Sequence, residues 1–166
     1  MIIFSVGSGL RVSETERLTF GDIEVVTVNG EKTLKIMVKD GKTGTRSVLT
    51  ESSSYHAIIK LKELYLRRGL KIDKSTNVFQ TKTFSGALRR LLISCGLRTC
   101  KRTGKIIDGK SWRQTYISWE VIKGKRSLLW IANNCGNSVG VIQSNYANNL
   151  QHEDFFEEKL NAISII

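Results

Sequence analysis

K-S-W-R-Q-T-Y-I-S-W-E-V-I-K-G-K-R-S-L-L-W-I-A-N-N-C-G-N-S-V-G-V-I-Q-S-N-Y, from Lys110 to Tyr146, is the stretch whose reading decides the fold. A basic pair, Lys110 and Arg113, opens an apolar segment of helical period. The pattern predicts helices over Ser111–Lys123, Arg126–Asn134 and Ser138–Asn148. A Gly136-Asn137 step separates the last two, and Tyr146 stands nine residues after Asn137. Two cations and a late tyrosine form a kit for holding a phosphodiester while a phenolic oxygen attacks it. By itself the kit is unspecific, because most tyrosines after helices are packing residues. Trp112, Tyr116, Trp119 and Trp130 fall at helical spacing among aliphatic residues and are expected in the core.

The chain around this stretch has 166 residues, enough for one domain with a real core. Its 26 Lys and Arg against 15 Asp and Glu give a net charge of +11, which points to a polyanionic partner, with nucleic acid foremost. No run of about 18 apolar residues is present, which excludes a helical membrane span. Cys95, Cys100 and Cys135 are odd in number and lack C-x-x-C spacing. They read as free, buried thiols of a reducing compartment rather than a zinc site or a disulfide framework. Met1-Ile2-Ile3-Phe4 resembles the end of a buried helix more than a signal peptide. The expectation is a single domain, 1–166, forming the C-terminal part of a longer protein.

From the start, Gly7-Ser8-Gly9 breaks the first apolar run. Ser13 and Glu14 suit the first turn of a helix reaching about Leu18. Arg11 stands at the loop-to-helix junction, where a guanidinium reaches a phosphate from a rigid base but faces the unfavourable end of the helix dipole. Ile23–Val28 is β-branched, Asn29-Gly30 signals a tight hairpin turn, Leu34–Val38 alternates, and Thr45–Leu49 reads as a third strand. Lys42 is placed at the tip of the second turn, where a solvated lysine is the ordinary outcome. Ser52-Ser53-Ser54 offers capping hydroxyls to a helix carrying Tyr55, Ile58, Leu61 and Tyr65, with His56 structural or exposed. Thr83–Cys95 is expected as an amphipathic helix with Leu88, Leu91, Leu92 and Cys95 on one stripe and Arg89 and Arg90 as phosphate contacts beside it. Gly96–Gly109 is irregular, carries Arg98, Lys101, Arg102 and Lys105, and is expected to order on DNA. A short amphipathic tail helix is expected at about 153–164, with Glu153, Asp154, Glu157 and Glu158 opposite Phe155, Phe156, Leu160 and Ile163.

Taken as a set, Arg11, Lys42, Lys110, Arg113, Asn137 and Tyr146 resemble, in order and context, the catalytic residues of the tyrosine recombinases, the phage integrase family. Gly9-Leu10-Arg11-Val12-Ser13-Glu14 looks like the family's first-arginine motif, and Lys42 in Gly41-Lys42-Thr43-Gly44 like its β-hairpin lysine. Lys110-Ser111-Trp112-Arg113 matches the H/K-x-x-R motif in its lysine form. Cys135-Gly136-Asn137-Ser138 occupies the Gly-His-Ser place, with Tyr146 at the nucleophile's distance. Lysine at the first of these positions and no histidine at the second is similar to integrases of archaeal viruses, the fusellovirus type.

The resemblance implies an α+β fold, mostly helical, with a small three-stranded antiparallel sheet. It implies site-specific cleavage and rejoining of double-stranded DNA through a 3′-phosphotyrosine on Tyr146, by a tetramer assembled on attachment sites. In that scheme Arg11 and Arg113 clamp the non-bridging oxygens, Lys42 protonates the leaving 5′-oxygen, and Lys110 assists. Asn137 is no acid or base but can donate a hydrogen bond to phosphate. No cofactor, metal or ATP is implied, and the location would be the interior of an infected host cell. No set of Asp and Glu suggests a Mg²⁺ pair. The competing readings are a relaxing enzyme like the type IB topoisomerases and a DNA-binding module with an impaired site.

Overall fold

The computed structural model describes residues 1–41, 44–80, 83–101 and 103–150, with Asp40 and residues 145–150 described by backbone alone. Lys42, Arg102 and the expected tail helix at 153–164 lie outside the described residues. Seven helices and three strands follow in chain order among the described residues: α1 (Ile2–Ser8), α2 (Val12–Arg17), β1 (Ile23–Val28), β2 (Glu31–Gly41), β3 (Gly44–Leu49), α3 (Ser52–Arg67), α4 (Phe84–Ser94), α5 (Gly109–Lys123), α6 (Leu128–Cys135) and α7 (Val139–Leu150). None of these helices is long and apolar enough to cross a membrane.

The strands form one antiparallel sheet in the order β1-β2-β3, as the hairpin signals predict. Asn29 takes a positive φ of 52° in the first turn, a conformation asparagine tolerates better than most residues. Along β2 the side chains of Leu34, Ile36 and Val38 are buried, while Lys35, Met37 and Lys39 between them face out. Ile36 pairs with Ile23 on one side and Val48 on the other, so the buried row crosses the sheet. That row joins Phe4, Leu10, Leu18, Ile58, Val78 and Phe79 in the first of three apolar clusters. A second is built from α5, α6 and α7 around Tyr116, Ile131, Cys135 and Ile142. A third seats Phe84, Leu88 and Leu92 of α4 against Trp112 and Val12. Helix α1 packs on both α3 and α5 and so links the sheet half to the helical half.

Several local expectations are corrected. The serines at 52–54 do not cap α3: Glu51 is the N-cap, without a side-chain bond, and the fully buried Ser54 hydroxyl donates to the Phe4 carbonyl instead. Leu91 and Cys95 do not belong to the buried stripe of α4; both are exposed, because the stripe runs through Phe84, Leu88 and Leu92 at i, i+4, i+8. Of the cysteines only Cys135 is buried. The segment after α4, expected to be irregular, closes a short hairpin among its described residues. Thr99 bridges Ile106, Cys100 N donates to Lys105 O, Ile107 N donates to Arg98 O, and the Arg98 guanidinium donates to the Ile107 carbonyl.

Candidate active site

Arg11 is the N-cap of α2. Its backbone N–H donates to Glu14 Oε2 at 2.8 Å and its Nη1 to Glu14 Oε1 at 2.9 Å, so the first turn of α2 grips its own arginine. The Glu14 carboxylate offsets the unfavourable dipole, and the guanidinium also reaches α6: Nη2 donates to the Gly136 carbonyl at 2.6 Å. Gly136 is the C-cap of α6, with φ 64°. The last carbonyls of a helix lack intrahelical partners and carry the negative end of its dipole, which suits a cation.

Arg113 is held by the same device twice. On α5 it is buried, 9% exposed. Its Nη1 donates to the carbonyl of Gly9, the left-handed C-cap of α1, at 2.7 Å. Its Nη2 donates to the Cys135 carbonyl at the end of α6, and to Asn137 Oδ1 at 3.0 Å. Gly9 is required on two counts: its φ is +63°, and a Cβ there would collide with the Tyr116 ring. Burial pulls the Arg113 pKa below its ordinary value, aided by the neighbouring cations Arg11 and Arg46, yet a guanidinium remains charged. The bonds described leave further N–H groups on both arginines. Because Asn137 accepts through Oδ1, its NH₂ is the end left to donate.

Glu14 stands behind both arginines, with its side chain 2% exposed. Besides Arg11, it receives Arg46 of β3 in a two-pronged pair, Nη1 to Oε1 at 2.9 Å and Nη2 to Oε2 at 2.8 Å. Burial pushes its pKa up, but the bonds from Arg46 and Arg11 win and hold it at about 2. Neither role was read from the sequence. The Arg11-x-x-Glu14 spacing is that of a capping box and carried a signal for Glu14. Arg46, 32 residues away on a strand, carried none.

A cleft of about 880 Å³ opens in front of this assembly, lined by Arg11, Ser13, Arg89, Arg98, Lys110 and Arg113 among others. Lys110 is exposed on the first turn of α5, which Asp108 caps by accepting from Lys110 N and Ser111 N. Glu16 caps α4 by accepting from Phe84 N at 3.0 Å, which sets Arg89 at the cleft. Arg90, Lys101 and Lys105 are exposed, and none lines the cleft. Tyr146 falls on α7, among the residues described by backbone alone. The structure therefore brings Arg11, Arg113 and Asn137 together, with Lys110 at the rim.

The fold is that of the tyrosine-recombinase catalytic domain, mostly helical with one three-stranded antiparallel sheet. Among similar solved structures is the XerH site-specific recombinase bound to palindromic difH substrate in a post-cleavage complex, with TM-score 0.61 and 19% identity over 99% of this chain and 44% of that one. The XerA recombinase matches with TM-score 0.60 and 21% identity over 84% of this chain and 48% of that one. The Tn1549 transposon integrase in complex with circular intermediate DNA matches with TM-score 0.61 and 17% identity over 98% and 58%. The chain thus spans about half the length of these proteins. No family model and no curated protein matches the sequence.

Proposed function

We propose that this chain is the catalytic domain of a site-specific DNA recombinase or integrase that cuts and rejoins DNA through Tyr146. The observation that carries this reading is the pair Arg11 and Arg113, seated on the adjacent carbonyls of Gly136 and Cys135 at the wall of a basic cleft. Such preorganised donors stabilise the charge that develops on the non-bridging phosphate oxygens. Tyr146 Oη forms the new bond to phosphorus, the bond to the 5′-oxygen breaks, and a 3′-phosphotyrosine results. The phenolic proton passes to Lys110 or solvent, and Lys42 supplies a proton to the leaving 5′-oxygen. Attack by another strand's 5′-hydroxyl reverses these steps and releases the tyrosine. Asn137 adds a neutral donor to the phosphate. Arg89, Arg90, Arg98, Lys101, Arg102 and Lys105 hold the duplex, and a tetramer on paired sites exchanges the strands. The lysine at 110 and the asparagine at 137 favour the viral integrase branch named above.

The test is covalent capture on a nicked suicide duplex. Wild type is expected to form an adduct, and Tyr146→Phe to form none while binding the duplex as before. Tyr116 cannot replace it, being 1% exposed with its hydroxyl bonded to Asn134. Binding without any adduct would leave a DNA-binding module. Supercoil relaxation without strand exchange would mark a topoisomerase-like enzyme. Lys42→Ala is expected to slow cleavage about 10²–10⁴-fold, the span for a general acid. A bridging 5′-sulfur, which leaves without a proton, should restore Lys42→Ala and not Arg113→Ala; equal rescue of both would remove Lys42 from the acid's role.

A further inference from the structure

Asn134, one residue before the carbonyl that holds Arg113, is 6% exposed in the apolar cluster of α5, α6 and α7 and has every polar atom of its amide in use. Its Oδ1 accepts from Leu49 N at 2.7 Å, and its Nδ2 donates to Leu49 O at 3.0 Å. Leu49 ends β3, an edge strand of the sheet, so this one amide does for Leu49 what a neighbouring strand would do. The second Nδ2 hydrogen goes to the Tyr116 hydroxyl at 3.0 Å. The amide cannot be turned over without setting its NH₂ against the Leu49 N–H, donor facing donor. The Asn134 main-chain carbonyl accepts from Arg46 Nε at 3.3 Å, and Arg46 in turn grips Glu14.

We propose that Asn134 is a positioning residue for the two arginines: it docks the end of α6 onto the β3 edge and α5, and thereby fixes the Cys135 and Gly136 carbonyls on which Arg113 and Arg11 rest. The inference rests on the function proposed above. An apolar residue of similar size fills the same space, but it strips the partly buried Leu49 N–H and C=O and the buried Tyr116 hydroxyl of their partner, and lets α6 slide. Tyr116 belongs to the same device, since its ring packs against Gly9, whose carbonyl is the other main-chain seat of Arg113.

Asn134→Leu and the milder Tyr116→Phe are compared with wild type at a temperature where each is fully folded by circular dichroism. Single-turnover adduct formation on the nicked duplex, at saturating protein, is expected to fall up to about 10²-fold in Asn134→Leu, the effect of an ångström-scale misplacement. It should fall by less in Tyr116→Phe. The Kd for the duplex should stay within about twofold, because the phosphate-contacting cations remain. In ¹⁵N-arginine spectra the Arg11 and Arg113 guanidinium signals should shift in both variants while those of Arg89 and Arg90 stay in place. A wild-type rate in Asn134→Leu, or a rate loss matched by an equal loss of binding, overturns the proposal. Should wild type itself form no adduct, the proposed function fails, and the arginine signals alone decide: unshifted signals refute the positioning role and shifted ones support it. Should Asn134→Leu not fold, Tyr116→Phe is read by the same two criteria.

Discussion

Two buried carboxylates, Glu14 and Glu120, each sit between two cations, and their pKa values are moved in opposite directions. Their side chains are 2% and 3% exposed, so burial does not separate them. Glu14 has Arg11 and Arg46 to itself and accepts at 2.8–2.9 Å from both guanidiniums and from a backbone N–H. Glu120 meets Lys123 and Arg126, each at 3.3 Å, and shares both with Glu51 at 3.2 and 3.8 Å. Two cations serve one anion in the first region and two in the second. Glu14 also stands in the first turn of α2, and Glu120 in the last turn of α5, where the helix dipole opposes it. Burial and then the Glu51 carboxylate push the Glu120 pKa above its ordinary value, against the pull of Lys123 and Arg126. The donors aimed at a buried carboxylate decide which way its pKa moves, and the region behind the candidate active site is the one supplied with them.

The largest expected effect breaks the better-supplied region. Glu14→Ala leaves Arg46 and Arg11 without their anion, and removing one partner of a buried pair costs about 3–5 kcal/mol. Urea denaturation at neutral pH measures it, and adduct formation should vanish with it. Glu120→Gln, whose cations keep Glu51, should change stability by about 1 kcal/mol or less. Similar losses from the two substitutions would mean that donor supply is not the distinction.

The next expectation is in the pH dependence. The folded pKa of Glu14 is about 2, below the ordinary 4.5. Between these values the unfolded chain binds more protons, so stability rises with pH up to about 4.5 and is lost as pH falls toward 2. For Glu120 the folded value is the higher one. There the native state binds more protons, and stability falls as pH rises from 4.5 through the raised value. Thermal melts of wild type, Glu14→Gln and Glu120→Gln across this range should show the first variant flattening the acid limb and the second flattening the limb above 4.5. A steeper upper limb in Glu120→Gln would assign that slope elsewhere.

What the sequence made legible and what it hid divide along the same line. Asn29-Gly30, the alternation in β2 and the helical period after Lys110 are local signals, and the strands and helices they announce are present within a residue or two at most ends. Arg11, Arg113 and Asn137 were singled out because each sits in a short motif, and the structure brings the three together. The pairs Glu14–Arg46 and Asn134–Leu49 span 32 and 85 residues, and no local period predicts them. The hairpin closed by Thr99 and Ile106 was hidden for another reason. Its sequence is basic and does not alternate, and main-chain bonds with one arginine hold it. Leu91 and Cys95 were misplaced because a helical stripe read from composition is wider than the face the neighbours cover.

The smallest effect concerns the cation that Glu120 shares least well. Arg126 lies over the Trp130 ring, 3.9 Å from its centroid, and its buried Nη1 has no hydrogen-bond partner among the described residues. The ring therefore holds Arg126 in the cluster where the carboxylates do not fully engage it. Trp130→Leu keeps an apolar side chain but removes the π face, an attraction of about 0.5–1 kcal/mol at a partly exposed site. Freed from the ring, Arg126 moves toward water and pulls less on Glu120, whose pKa should rise further. The descending limb of the stability curve then reaches to higher pH. In the Glu120→Gln background that limb is absent, so Trp130→Leu should cost the same at every pH there. Coupling between the two substitutions should appear only above pH 4.5, and a double-mutant cycle at two pH values measures it. Coupling equal at both would mean that the ring acts on packing alone and that Arg126 is not the link between Trp130 and the carboxylate.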